Sequence, residues 1–377
     1  MKKLYDTKLS QIFELGNFFT KKINLSRKKF IISYLLGLVM SVMSRNVHFC
    51  EVAAHMNEEV DSESNVRRIE RFFKDFEVDF VGFAKLLMSC FPCKTYKLCI
   101  DRTNWQFGEQ NINVLCLTLE YQGVGIPILF DLLDKKGNSD QQERIDLLSK
   151  FIEIFGSDGI QTLIGDREFI GENWHKYLIE KGIKFHIRIP KSHYIGIGDE
   201  ELKGSDLLEK YGAGFHKDIE ISGMKLHFAC KKSKNKKGED DPLLILTNDA
   251  VADPFKTYRK RWSIETFFQS IKKRGFNIEN THVKCLKKLK KLFLMVCVAF
   301  VMCLTIGIFR NDITKKIAVK KHGYKANSFA RKGLNIIRNA INKRNKSIAV
   351  FEAFADDFIF VISGFFNIKN PNYKNVG

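Results

Sequence analysis

Residues Thr257–Gly275, TYRKRWSIETFFQSIKKRG, carry four polar side chains at a fixed spacing: Tyr258, then Arg261 three positions on, Glu265 seven on and Lys272 fourteen on. At roughly 100° per residue, one helix would gather all four within an arc of about 60°. A single carboxylate then stands among three groups that seek phosphate. Ile264, Phe267, Phe268 and Ile271 cluster on a neighbouring arc, about 90° away, so the helix can pack into a core and still show its polar stripe. Solvated surface helices carry similar charges, and the carboxylates upstream decide between the two readings.

Two aspartates sit at what read as strand ends. In YKLCIDRTNW the apolar Leu98, Cys99 and Ile100 lead to Asp101, and in IQTLIGDREF Leu163 and Ile164 lead to Asp166. Between them lie INVLCLTLEY, alternating around Val114 to Tyr121, and GIPILFDLL. A helical stretch from about Gln141 to Phe155 follows, with Ile145, Leu148, Ile152 and Phe155 at helical spacing. The predicted order is strand, strand, strand, helix, strand, which is the order a ribonuclease H-like sheet needs. Asp101 would lie on the first strand and Asp166 just after the fourth. With Glu265 on a later helix, three carboxylates can converge.

These segments resemble those of bacterial insertion-sequence transposases of the DDE type, in the cut-and-paste family with the Y-x2-R-x3-E-x6-K motif. Besides that motif, IDRTNW, KKGNSDQQERIDLL, and GDREFIGENW followed by KFHIRIPK resemble family segments, and the likeness runs over most of the chain. The resemblance implies a ribonuclease H-like catalytic domain, two divalent ions, cut-and-paste movement of DNA, and a β-rich insertion between the second Asp and the Glu. Related enzymes use an aromatic side chain of that insertion to stack a flipped base while a DNA hairpin forms. The insertion here contains no Trp, which leaves Tyr194, Tyr211, Phe215 and Phe228 as candidates.

The chemistry of the residues leads to the same assignment. Hard cations such as Mg²⁺, with Mn²⁺ substituting, take oxygen ligands, and two of them about 3.5 to 4 Å apart can activate a water or a 3′ hydroxyl and steady the leaving oxygen. Asp101, Asp166 and Glu265 are the candidate catalytic and metal-ligating residues. Arg261 and Lys272 are the candidate phosphate ligands, Arg as a fork and Lys as a point charge, while Tyr258 could hydrogen-bond a phosphate or stack near a displaced base. Trp262 reads equally as a stacking residue or as core. Glu168, two residues after Asp166, competes for the second ligand position if the strand continues that far.

The chain has 377 residues, 45% of them hydrophobic, and a formal charge of +19, enough for a sizeable core and a bias toward a polyanionic partner. Lysine richness alone says little, because lysine runs are ordinarily solvated; beside an acidic triad it points to DNA. Nine cysteines without a regular framework suit a reducing cytoplasm. MKKLYDTKLSQ has no following apolar run and does not read as a signal peptide. Leu292 to Phe309 is long and apolar enough for a bilayer span, but directly after the Glu265 helix it is expected as a buried helix of the catalytic core, with no membrane partner.

Three parts are predicted. Residues 1–92 read as a helical DNA-binding domain whose third helix, SNVRRIERFFKDF, sets Val66, Ile69, Phe72 and Phe73 against Arg67, Arg71 and Lys74, the candidate contacts to the element's terminal inverted repeats. Residues 93–309 read as the catalytic domain, interrupted by the β-rich insertion at 190–255. Residues 310–377, basic and ending in FEAFADDFIFVISGFF, are expected to supply dimer or DNA contacts, since joining two ends calls for a homodimer in the synaptic complex. A catalytically silent DNA-binding regulator and a non-transposing nuclease are the alternative functions.

Overall fold

The computed structural model describes residues 25–42, 46–56, 60–91, 93–235, 237–272, 275–313, 316–321 and 325–343. MKKLYDTKLSQ and FEAFADDFIFVISGFF lie outside the described residues. The chain divides into two units, Met1–Pro92 with Gln269–Gly377, and Cys93–Phe268.

The first unit starts with α1 (Leu25–Ser41), α2 (Phe49–Ala54), α3 (Ser62–Asp75) and α4 (Phe80–Ser89). Asp61 begins α3 by accepting the Ser64 N–H at 2.8 Å, which satisfies one of the N–H groups a helix start leaves open. One side of α3 buries Ile69, Phe72 and Phe73 while Arg67, Arg71 and Lys74 are exposed on the other, the division read from the sequence except that Val66 is only half-buried. Phe72 packs against Phe30 of α1 and Phe73 against Phe49 of α2, with ring centroids 5.1 and 4.8 Å apart.

The second unit is built on one ten-stranded sheet. Its first half comprises β1 (Tyr96–Phe107), β2 (Gln110–Tyr121), β3 (Val124–Leu133), α5 (Gln141–Phe155), β4 (Ile160–Gly165), α6 (Glu172–Glu180) and β5 (Phe185–Ile189). The order in the sheet is β3-β2-β1-β4-β5, with β1 to β3 antiparallel and β4 and β5 running parallel to β1. That is the predicted succession of strands and helix. Two details differ. β2 is buried without alternation from Ile112 to Leu119, as a strand covered on both faces is. On α5 the buried face is Arg144, Leu147, Leu148 and Phe151 rather than the stripe through Ile145 and Ile152. The turn is rotated because the Arg144 guanidinium reaches inward, donating to the Ile170 carbonyl at 3.0 Å and to the Ser139 hydroxyl at 2.9 Å.

The expected β-rich insertion forms strands but no sheet of its own. β6 (Tyr194–Ile197), β7 (Glu200–Lys203), α7 (Gly204–Tyr211), β8 (Gly214–Ile221), β9 (Met224–Lys231) and β10 (Leu243–Thr247) follow in the chain. β10 pairs with β5, so the remaining strands continue the first half in the order β10-β9-β8-β6-β7. Next come α8 (Pro254–Tyr258), a 3₁₀ turn over Arg259–Arg261, and α9 (Trp262–Ile271). The single helix predicted from Tyr258 to Lys272 is therefore broken by a tighter turn.

α10 (Leu286–Ile313) and α11 (Phe329–Lys343) complete the first unit. The stretch Leu286–Ile308 is long and apolar enough to cross a membrane, and from Lys291 to Ile308 it is wholly buried within the protein. It groups with the helices of the first unit, whereas the sequence reading set Leu292 to Phe309 in the catalytic domain. A helix apolar on every side needs partners on every side, and α1, α3 and α11 supply them in the helical unit. Buried Lys291 donates its ammonium to the Phe73 and Phe76 carbonyls at the end of α3, the negative end of that helix.

α10 and α11 meet backbone to backbone. A Cβ placed on Gly333 would lie 1.7 Å from the Cys303 carbonyl oxygen, so the crossing requires glycine there. Gly333→Ala is expected to lower the stability of the helical unit by about 3 kcal/mol, the upper range for overpacking, because a backbone atom cannot step aside. Gly196→Ala on β6, where a Cβ meets nothing within 4 Å, is the control and should melt like the native protein. Equal melting curves for both variants would show that the helices are not packed this closely.

Candidate active site

Strand register puts the first part of the site in place. Gly165 of β4 pairs with Ile100 of β1 on one side and with Ile187 of β5 on the other. The next residues, Asp101, Asp166 and Arg188, therefore form a row across three neighbouring parallel strands, spaced by the roughly 4.8 Å between strands. The fourth residue arrives on α9, which can approach the sheet only because Gly125 of β3 has no side chain. A Cβ there would lie 2.9 Å from the Ile264 Cα. Ser263, beside the Cys99 thiol at 3.5 Å, holds the same helix over β1. Glu265 follows two positions later.

A guanidinium stands among the three carboxylates. Arg261 Nη1 lies 3.3 Å from Asp101 Oδ2 and 3.6 Å from Asp166 Oδ2, and Nη2 lies 2.6 Å from Glu265 Oε1. The 3₁₀ turn is what aims Arg261 inward, where its side chain is only 10% exposed. The Tyr258 hydroxyl donates to Asp166 Oδ1 at 3.0 Å, and the Arg261 guanidinium lies 5.7 Å from the centre of the Tyr258 ring. Backbone N–H groups complete the set: that of Arg102 donates to Asp101 Oδ1 at 2.7 Å and that of Arg167 to Asp166 Oδ1 at 2.8 Å.

The two aspartates are driven apart in acidity. Burial pushes the Asp101 carboxyl up to about 7, against the pull of Arg261 and the Arg102 N–H, with Asp166 and Glu168 adding to the rise. Burial also acts to raise Asp166, but Arg261, the Arg167 N–H, the Tyr258 hydroxyl and Arg188 together hold it below the usual carboxylate range. Burial would lower Arg261, yet Tyr258 and the three carboxylates raise it further, so it stays charged. Tyr258 is raised by burial first and then by Asp166, so its hydroxyl keeps its proton.

Of the sequence candidates, Asp101, Asp166, Glu265, Tyr258 and Arg261 come together. Lys272, just past α9, belongs to the helical unit and pairs there with Glu279 at 3.0 Å. Arg67, Arg71 and Lys74 also lie in that unit, on the exposed face of α3. Trp262 is 52% exposed, so it is not a core residue. Glu168 is committed elsewhere: Arg102 grips it through Nε at 3.3 Å and Nη2 at 3.2 Å, and Ser139 donates to it at 3.4 Å. Arg102 also donates to Asn113 and Asn138, both at 3.0 Å. This network ties the backbone just after Asp101 to the backbone just after Asp166, which makes Glu168 a brace rather than a ligand. Sequence reasoning passed over Arg102 and Arg188, although both stand in segments quoted above, Arg102 directly after Asp101 in IDRTNW and Arg188 in KFHIRIPK.

The donor set fits divalent cations. Three hard carboxylates face one guanidinium, so negative charge exceeds positive in a partly buried place, which suits Mg²⁺ or Mn²⁺. Among the described residues no three His, Cys, Asp or Glu side chains form a ready-made metal cluster; the three candidate carboxylates are each in contact with Arg261 instead.

A family model of the transposase DDE domain matches residues 92–302. The chain belongs to the transposase DDE domain family. No curated protein matches its sequence. Among solved structures, a piggyBac transposase in a synaptic complex with hairpin DNA is similar with a TM-score of 0.43 and 12% identity, over 93% of this chain and 77% of that one. So distant a likeness adds nothing to the site's geometry.

The environment of Asp101 sets a test of stability against pH in this DDE transposase family member. The folded carboxyl keeps its proton up to about pH 7, whereas an unfolded Asp loses it near 3.9. Ionisation is thus opposed by folding, so stability falls as pH rises between those values, and the full cost is present above pH 7. Asp101→Asn keeps the shape and removes the charge. It is expected to melt higher than the native protein at pH 8, by at most about 4 kcal/mol of stability, and to lose that advantage as pH falls toward 4. A lower melting temperature for the variant at pH 8 would contradict this environment for Asp101.

Proposed function

We propose that this transposase serves a bacterial insertion sequence. It binds the element's terminal inverted repeats as double-stranded DNA, cleaves at the ends by phosphodiester hydrolysis and joins the freed 3′ hydroxyls to target DNA. The observation that carries this reading is the convergence of Asp101, Asp166 and Glu265, from three distant segments, on one guanidinium. A DNA-binding regulator has no use for that arrangement. The strand order β3-β2-β1-β4-β5 supports a ribonuclease H-like core.

In this reading Asp101, Asp166 and Glu265 hold two divalent ions, which supply an activated water or 3′ hydroxyl and steady the leaving oxygen. Arg261 exchanges its carboxylate partners for phosphate oxygens of the bound strand, and its fork fixes their orientation. Tyr258, protonated throughout, orients Asp166 in the free protein and turns its single hydroxyl donor to a phosphate when the strand is bound. Lys272 and the exposed Arg67, Arg71 and Lys74 bind the backbone of the element ends, with a homodimer bringing two ends together. A hairpin step needs an aromatic that is free to stack. Phe228 is buried, Tyr211 packs against it with ring centroids 5.0 Å apart, and Phe215 lies 6.0 Å from His227, whereas Tyr194 is 57% exposed. Tyr194 and Trp262 are therefore the candidates for base stacking. The protein acts in the cytoplasm, on the nucleoid.

The DNA flanking the gene supplies the substrate for the test. Labelled duplexes carrying those ends are incubated with the protein in Mg²⁺ or Mn²⁺, with Ca²⁺ and Glu265→Gln as controls. The expected result is cutting at the element boundary by the native protein only, a loss of at least about a thousandfold in Glu265→Gln, and unchanged end binding by the variant. Binding without cutting in any metal would replace this reading with a catalytically silent DNA-binding regulator. Cutting without joined products would replace it with a nuclease.

A further inference from the structure

One carboxylate beside the site belongs to none of the chemistry above. The residues joining β9 to β10, KSKNKKGEDD with Pro242 after them, carry Glu239, Asp240 and Asp241 at their end. They fold back on themselves. Lys234 and Asp240 form a β-bridge, the Asp241 N–H donates to the Ser233 carbonyl at 2.9 Å, and Lys191 donates to the Asp240 carbonyl at 3.0 Å. This braced turn aims Asp241 at two arginines next to Asp166.

Asp241 Oδ2 lies 2.8 Å from Arg188 Nη2 and 3.4 Å from Arg167 Nη2. Arg188 is the third member of the row Asp101, Asp166, Arg188, and Arg167 follows Asp166 directly. The pair is well shielded, with the Asp241 side chain 14% exposed and that of Arg188 17% exposed. The match is incomplete: both guanidinium groups share one carboxylate oxygen, and the buried Nε of Arg188 has no hydrogen-bond partner. Two positive charges and a free fork donor are more than a single carboxylate satisfies. A phosphodiester, with two non-bridging oxygens spaced for a guanidinium fork, would engage Nε and Nη2 of Arg188 together and leave contacts for Arg167.

We propose that Asp241 is a displaceable stand-in for a DNA phosphate: in the free protein its carboxylate closes the Arg167–Arg188 site, and a backbone phosphate of the bound strand takes its place. The turn between β9 and β10 is then a restraint on DNA binding, set aside when a strand lies along the row beside Asp166. This rests on the DNA-processing function proposed above, and it concerns binding rather than the chemical step.

The test measures binding of a short fluorescein-labelled DNA duplex by anisotropy in Ca²⁺, with each protein's melting curve recorded alongside. Asp241→Asn should bind about three- to fivefold more tightly than the native protein, the gain expected when one partly shielded ion pair no longer competes. Asp240→Asn makes the same change in net charge on the same turn without touching the arginines, and it should leave affinity nearly unchanged. Adding Arg167→Gln, a substitution at a half-exposed side chain, should remove most of the gain from Asp241→Asn. Equal gains for Asp241→Asn and Asp240→Asn would reduce the effect to bulk charge and overturn the proposal. Weaker binding by Asp241→Asn with a lower melting temperature would make Asp241 a structural brace and overturn it as well. If the native protein binds and cuts DNA and Asp241→Asn behaves identically, this proposal alone falls; if no variant binds DNA, the proposed function falls with it.

Discussion

Three carboxylates drawn to one place repel one another, and the Arg261 guanidinium is what makes their meeting tolerable in this chain. Asp101, Asp166 and Glu265 each contact it. Each contact places a demand on the fold. Parallel pairing of β1 and β4 must end in register so that both aspartates face one side, and the chain must tighten to a 3₁₀ turn at Arg259–Arg261 so that the guanidinium points inward. α9 must also lie close enough for Glu265 to reach, which Gly125 allows. The arrangement carries a cost in stability, because Asp101 sits where its charge is opposed by burial. Such local expense is common where a fold serves chemistry rather than its own stability.

The parts of this structure that were legible in the sequence are those written in short segments. Leu163–Ile164 before Asp166 reads as a strand end and is one, whereas Leu98–Ile100 lies inside β1, which runs on through Asp101 to Phe107 and keeps only its parallel pairing with β4 up to Ile100. α3 showed its two faces because its burial follows helical periodicity over four turns. What local pattern could not reveal were partners. α10 is apolar all round, which demands burial without saying in which unit, and it joined the helices rather than the sheet. The strands of 190–255 looked separate because nothing local states that β10 pairs with β5. Glu168 had the right type and nearly the right place for a metal ligand, but the Arg102 side chain that claims it comes from a strand 66 residues away. The spacing of Tyr258, Arg261 and Glu265 was right about which residues meet and wrong about the backbone that brings them together.

The same charges make the free protein electrostatically closed. Arg261 fills the space among the carboxylates, and Asp241 covers the arginines beside them. Both contacts are ones that a cation or a phosphate would compete for, so binding substrate means exchanging internal ion pairs for external ones of the same sign. Exchange of this kind limits affinity less than it limits wrong partners, because a ligand that cannot replace both pairs leaves buried charge uncompensated.

The central claim is that the Arg261 guanidinium acts as the resident cation of the carboxylate cluster, and the most direct measurement compares melting curves of the native protein and Arg261→Gln without metal and over a series of Mn²⁺ concentrations. The account expects the variant to melt lower without metal, because three carboxylates lose their counter-charge. It also expects a larger rise in melting temperature for the variant at each Mn²⁺ concentration, because the ion no longer competes with an arginine. An unchanged melting temperature without metal, together with the same Mn²⁺ response in both proteins, would contradict it.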